Sequence, residues 1–134
     1  MNQEMERWAA DVEAAARQLQ VGMRRFPCSR GMLYFCVLPD RRGFNLFAGE
    51  DGILQCWRLV KDHTVAAVGT GIECYNPARP GALAGMRIVE EGLWRIYAQQ
   101  RIEWEHPNAE RCIQKFIRSY IGLIGSPALQ EFSI

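Results

Sequence analysis

The sequence TVAAVGTG occupies residues 64–71, and a long stretch with apolar residues three or four positions apart follows it up to Gln100. Its first residues are small or β-branched and predict a buried strand over Thr64–Thr70. Pro77 and Pro80 interrupt the chain next, and Pro80 suits the first turn of a helix, where no backbone N–H is needed. We therefore predict a strand, a tight loop and an amphipathic helix.

One face of this predicted helix is apolar. Its members are Leu83, Met86, Val89 or Glu90, Leu93, and Ile96 or Tyr97. Gly85 and Gly92 lie within the same stretch, and a glycine inside a helix costs roughly 1 kcal/mol relative to alanine. We interpret the two glycines as positions where the helix packs closely against its neighbour.

Upstream of this stretch, the sequence predicts one helix and three further strands. The amino-terminal helix, which Asn2 can cap, carries an apolar stripe that ends before Gly22 or Pro27. The stripe consists of Met5, Trp8, Ala9, Val12, Ala15, Ala16 and Leu19. Short polar links of hairpin length separate the predicted strands, which indicates an antiparallel meander. These strands are Met32–Leu38, Phe44–Ala48 and Ile53–Val60.

Downstream, Pro107 opens a last helix with a broad apolar stripe from Cys112 to Ile124, and Ala128–Ile134 could return as an edge strand. The predicted fold is therefore a single α+β domain over residues 1–134. It has an N-terminal helix, a four-stranded antiparallel meander, two C-terminal helices and a possible final edge strand. Two of the helices would cover one face of the sheet and leave the other face to solvent or a partner.

The run VAAVGTG at 65–71, followed by ALAGM at 82–86 and EEGL at 90–93, resembles the second half of proteasome-type subunits, including the bacterial HslV peptidase. The hairpin Phe44–Trp57 and the stretches Pro107–Gly122 and Ser126–Ile134 are similar to neighbouring elements of that family. The resemblance implies a strand, a Gly-x-Gly turn and an alanine-rich helix. It implies no catalytic residue here, because the first half of the family, which carries the amino-terminal threonine nucleophile, has no counterpart in this chain.

The composition excludes several classes of function. The 134 residues carry a formal net charge of +1, which provides no broad basic surface for nucleic acid or an anionic membrane. No apolar run is long enough to span a bilayer, and the charged amino terminus does not look like a secretion signal, so we expect a cytoplasmic protein. Gly69 and Gly71 lack the third glycine of a dinucleotide-binding loop, and we expect no cofactor.

The five cysteines contain no C-x-x-C pair, and only two histidines accompany them, so we predict no metal site. Cys36, Cys56 and Cys112 lie in apolar contexts and are interpreted as buried thiols. An alternative hypothesis is a divergent amidohydrolase or peptidase component with a cysteine or split active site. It would use Cys74 as nucleophile with His63 or His106 as base.

The preferred hypothesis is a non-catalytic protein-binding or assembly module, such as an adaptor, an inhibitor or an immunity-type protein. Tryptophans near arginines, among them Trp57, Trp94 and Trp104, are typical of interface hot spots. We predict that the chain binds another protein or itself through the uncovered sheet face or an aromatic patch. The candidate binding residues are Trp94, Tyr97, Arg101 and Trp104.

Overall fold

The order of elements places most of the strands between two helices. The computed structural model describes residues 3–61, 83–90, 93–102 and 107–124. Within these ranges the chain forms two helices and six strands. They are α1 (Gln3–Gln18), β1 (Gly22–Cys28), β2 (Gly31–Val37), β3 (Gly43–Gly49), β4 (Ile53–Lys61), β5 (Leu83–Glu90), β6 (Leu93–Arg101) and α2 (Ala109–Ile124).

The six strands form one antiparallel sheet in the order β1-β2-β3-β4-β6-β5. Strands β1 to β4 follow one another as a meander. Strand β6 then pairs with β4 along its whole length, from Ile53 opposite Arg101 to Lys61 opposite Leu93. Strand β5 pairs with β6 and forms the far edge. The predicted α+β class is confirmed.

Both helices pack on the same face of the sheet. The Tyr34 hydroxyl of β2 donates a hydrogen bond of 3.4 Å to the carbonyl oxygen of Ala9 in α1. The Tyr120 hydroxyl of α2 donates one of 2.9 Å to the carbonyl oxygen of Ile96 in β6. A single apolar core lies between these layers. Its largest buried side chains are Trp8, Tyr34, Tyr120, Phe44, Phe116 and Met32.

Helix α1 buries the stripe that the sequence predicts. Met5, Trp8, Ala9, Val12, Ala15 and Ala16 are buried, and Leu19 packs against the core. The helix ends at Gln18, and Gln20 then takes a left-handed backbone conformation with a φ of 61°. The Val21 N–H donates to the carbonyl oxygen of Ala16 at 3.0 Å, a bond that closes the helix end. Gly22 therefore does not end the helix; it begins β1.

Strand β1 is missing from the sequence prediction. It pairs residue for residue with β2, from Gly22 opposite Val37 to Cys28 opposite Gly31. All but one of its residues are exposed, so its apolar residues show no alternation that would indicate a strand. Pro27 suggests a break, but a proline is tolerated on an edge strand, where one side of the backbone has no partner.

The next three predicted strands are confirmed, because β2, β3 and β4 differ from them by a residue or so at each end. The strand predicted at Thr64–Thr70 and the edge strand predicted at Ala128–Ile134 lie outside the described residues. The last predicted helix is confirmed as α2, whose buried residues include Ile113, Phe116 and Ile117.

The helix predicted over the stretch that ends near Gln100 is wrong. Leu83–Glu90 and Leu93–Arg101 are strands that pair with each other. In β6 the buried residues alternate with partly exposed ones: Ile96 and Ala98 are buried, whereas Tyr97 is not. Apolar residues three or four positions apart fit either element over a short range, and pairing with β4 stabilises the strand. In a strand, Gly85 needs no helix-packing explanation.

Candidate binding face of the sheet

The sheet has one face that neither helix covers. In β2 the pattern is clear, since Met32, Tyr34 and Cys36 are buried under the helices, whereas the residues between them point the other way. We call this second surface the open face. Its side chains include Arg24, Phe26, Leu33, Phe35, Val37, Asn45, Phe47, Gln55, Trp57, Arg95, Tyr97, Gln99 and Arg101. No element among the described residues packs over it.

One half of the open face, on β1 to β3, is apolar. Phe26 is 41%, Phe35 47% and Val37 37% exposed, which is unusual for such large apolar side chains. The register places Leu33 between Phe26 and Phe47 on the neighbouring strands. These five residues, Phe26, Leu33, Phe35, Val37 and Phe47, are called the apolar half. They form a continuous patch rather than scattered single residues.

Two of the phenyl rings lie low on the sheet because glycines face them. A β-carbon added at Gly43 would lie 3.3 Å from Cζ of Phe35, and one added at Gly31 would lie 2.8 Å from Cζ of Phe47. The rings therefore occupy space that any other residue at these glycines would fill.

The other half, on β4 and β6, is aromatic and polar. Trp57 and Tyr97 are direct partners in the β4–β6 register. The guanidinium carbon of Arg95 lies 5.3 Å from the centroid of the Trp57 ring, within the range of a cation–π interaction. The Gln55 side-chain amide donates a hydrogen bond of 3.0 Å to Oε1 of Gln99. Together these five residues line a shallow pocket of ≈ 70 Å³.

The charged side chains that the structure describes on the open face have one sign. Strands β1, β2, β3, β4 and β6 contain no aspartate or glutamate, whereas Arg24, Arg95 and Arg101 occupy open-face positions. Arg24 also stacks on an aromatic ring, with its guanidinium carbon 5.5 Å from the centroid of Phe26. The net charge of +1 therefore conceals an uneven distribution, since several acids lie on α1 on the opposite side of the sheet.

Two of the four predicted binding residues lie on this face. Tyr97 lines the pocket, and Arg101 is exposed on the same strand. The backbone of Trp94 pairs with Val60 and Ile88, and Trp104 lies outside the described residues. Most open-face residues were not among the four predicted binding residues, including Phe35 and Arg95, and Trp57 was named only as a tryptophan near arginines. The sequence did indicate that Trp57 shares a strand face with Gln55 and Leu59. It did not place Arg95 on that face, because a helix was predicted there.

The residues of the alternative enzyme hypothesis, Cys74, His63 and His106, lie outside the described residues. Two described cysteines are buried as expected, and burial raises the pKa of the Cys36 thiol to about 12 and that of Cys56 well above its ordinary value. Such thiols stay protonated and are poor nucleophiles at neutral pH. Cys112 is only partly buried.

Within the ranges that the structure describes, no group of three or more histidine, cysteine, aspartate or glutamate side chains could hold a metal ion. In the same ranges, neither helix has both the length and the apolar character needed to cross a membrane.

No protein-family model matches the chain, and no curated protein matches it. Among solved structures, it is similar to YbjN from E. coli, a proposed transcription regulator, with a TM-score of 0.49 and 13% sequence identity over 94% of this chain and 95% of that chain. The resemblance to proteasome-type subunits is wrong. The alanine-rich helix that the resemblance requires at residues 82–86 is replaced by β5, a strand from Leu83 to Glu90.

Proposed function

We propose that this chain is a non-catalytic protein-binding module whose open face holds a segment of another protein. The observation that carries the proposal is the apolar half, where Phe26, Phe35 and Val37 are exposed together. A continuous apolar patch on a folded domain marks interaction surfaces, because exposing it to water is unfavourable. Covering the exposed part of each of these side chains contributes roughly 1 kcal/mol to association.

The second support is the composition of the other half of the face. Tryptophan, tyrosine and arginine are the residues that most often dominate binding energy at protein interfaces, and Trp57, Tyr97 and Arg95 lie side by side there. An apolar patch next to an aromatic and arginine cluster offers both buried area and directional contacts. An adaptor or an inhibitor acts through such binding alone and needs no catalytic group.

The experiment is a peptide-display selection on the immobilised protein, followed by affinity measurements with the enriched peptides. The test variant is the double substitution Phe35→Ser with Val37→Ser. The matched control is Arg118→Ser, which changes an exposed residue of α2 on the other side of the molecule. We expect the double variant to lose at least tenfold in affinity, since each tenfold corresponds to about 1.4 kcal/mol, and the control to bind like the original protein.

Two results would contradict the proposal. Failure to enrich any peptide that depends on Phe35 and Val37 would remove the open face as a binding surface. Light scattering that shows a dimer, converted to a monomer by the same double substitution, would mean that a second copy of this chain covers the face instead of a different protein.

A further inference from the structure

The pocket between β4 and β6 is lined by polar and charged side chains, which the apolar half lacks. Trp57, Tyr97 and Arg95 line it together with the hydrogen-bonded Gln55–Gln99 pair, and the Arg95 guanidinium lies over the Trp57 ring. Its volume of ≈ 70 Å³ exceeds the space of a single water molecule. A small polar group with two oxygen atoms can therefore enter it.

Arg95 has donors to offer. Its Nε atom is shielded from solvent and has no hydrogen-bond partner among the described residues. A guanidinium carries five N–H donors in a planar fork, which matches the two oxygens of a carboxylate. Stacking on Trp57 holds the plane of the fork in place, so little conformational freedom is lost when an anion binds.

Positive charge accumulates around this position, since the side chains described on the open face include arginines and no acid. Arg101 follows on the same face of β6. Because strands β1 to β4 and β6 contain no acidic residue, the missing negative charge can come from a bound partner.

The pocket is aligned with the apolar half. Phe35, Asn45, Trp57 and Tyr97 are successive partners across β2, β3, β4 and β6, so they form one row that crosses the strands. Arg95 lies three strands from Phe35 and two residues along β6 from Tyr97, so at about 4.8 Å between strands the two positions are roughly 15 Å apart. An extended chain advances about 3.3 Å per residue and covers this distance in four or five residues.

We propose that the pocket at Arg95 binds the carboxylate of an aspartate or glutamate in the docked segment, about four or five residues from an apolar side chain that contacts Phe35. This inference rests on the proposed function and names its partner class, an acidic and apolar segment of another protein. Nucleic acid also carries negative charge. Its strongly hydrated phosphate backbone would lie against the apolar half, whereas a peptide can place an apolar side chain there.

The test uses two synthetic ten-residue peptides that differ at one position. Both carry a phenylalanine; the first has a glutamate four residues after it, and the second has a glutamine there. Binding to the full chain is measured by fluorescence anisotropy at low and high salt. We expect the glutamate peptide to bind about tenfold more tightly at low salt and the difference to shrink at high salt, as for a charge-assisted hydrogen bond.

The variants assign the effect to one residue. Arg95→Gln should abolish the difference between the two peptides, and Arg95→Lys, which keeps the charge without the fork, should retain part of it. Arg24→Gln is the matched control, because it removes an open-face arginine outside the pocket, and it should preserve the difference. The melting temperature of each variant shows whether it is folded, and the lysine variant replaces the glutamine variant if the latter is not.

The outcomes separate this inference from the proposed function. Equal affinity for the two peptides, with both still dependent on Phe35, would overturn the carboxylate pocket and leave the protein-binding face intact. Binding of neither peptide, together with a failed display selection, would overturn both. A single-stranded oligouridylate that binds more tightly than the glutamate peptide and requires Arg95 would identify nucleic acid as the partner and overturn the inference.

Discussion

The indole N–H of Trp8 donates a hydrogen bond of 3.0 Å to the carbonyl oxygen of Gly49, 41 residues away, and both residues are buried. The bond joins the middle of α1 to the last residue of β3, where the meander turns towards β4. The Gly49 carbonyl oxygen also accepts a hydrogen bond of 3.0 Å from the Gly52 N–H, so the indole supplies a second donor that ties α1 to this turn of the sheet.

Substitution of Trp8 by phenylalanine should therefore lower the free energy of unfolding by about 2–4 kcal/mol, the sum of a lost buried hydrogen bond and a smaller side chain in the core. Urea unfolding measures the change. Arg7→Ala is the control, because Arg7 is the exposed neighbour on the same helix. A loss no larger than that of the control would mean that the Trp8–Gly49 contact does not stabilise the fold.

Phenylalanines on the two faces of the sheet should respond differently to truncation. Phe44 is 1% exposed and its ring centroid lies 5.4 Å from that of Tyr120, so Phe44→Ala should cost about 3–5 kcal/mol. Phe35 is nearly half exposed on the open face, so Phe35→Ala should cost about 1 kcal/mol. Urea unfolding of the two variants side by side tests whether the face is open. Similar losses would show that it is covered.

The carboxyl end of α1 can be stabilised. Gln20 has a φ of 61°, a conformation in which a β-carbon is strained, and its side chain is exposed. Gln20→Gly should raise the free energy of unfolding by about 0.5–1 kcal/mol, because glycine is the preferred residue at this position of a helix end. Thermal unfolding measures the gain. Gln20→Ala keeps the β-carbon and should show no gain; equal gains in both variants would contradict the mechanism.

The buried thiol of Cys36 should make stability depend on pH under alkaline conditions. Burial raises its pKa from 9.0 to about 12, so between these values the unfolded chain loses a proton that the folded chain keeps. The contribution of this group is therefore fully present below pH 9 and is lost as the pH rises towards 12, by at most about 1.4 kcal/mol per pH unit.

Denaturant unfolding of the original chain and of Cys36→Ala at several pH values from 8 to 11 (about one unit apart) measures this dependence. We expect a flatter decline in the variant. Cys28→Ala controls for the removal of a thiol as such, because Cys28 is exposed. If the original chain and Cys36→Ala decline in parallel, the Cys36 thiol is not the group responsible.

Local patterns of apolar residues and turns were sufficient to predict α1, α2 and the strands β2 to β4. The stripe of α1 recurs at helical spacing, and the turns around Gly43 and Gly52 separate runs that are too short for helices. Gly52 has a φ of 84°, as expected for a glycine in a turn. The prediction that one sheet face stays uncovered followed from placing two of the helices on the same face.

The candidate site was predictable only in part. Tyr97 and Arg101 were chosen for their residue types, and the register of β6 then places them on the open face. The partnership of Trp57 with Tyr97 and Arg95 could not be predicted, because it requires β6 to insert between β4 and β5. Local spacing around Ile96 indicates a helix as readily as a strand.

The linear pattern of apolar and polar residues was sufficient for the α+β class, for α1 and α2, and for the central strands, because these elements depend on periodicity within a short window. Tertiary pairing was required for β1, β5 and β6. β1 is an exposed edge strand whose backbone pairs with β2, β5 pairs with its neighbour β6, and β6 pairs with β4, which is distant in the chain. The cationic aromatic pocket belongs to this second group, since a site that spans two strands exists only when their non-local hydrogen bonds set the register between them.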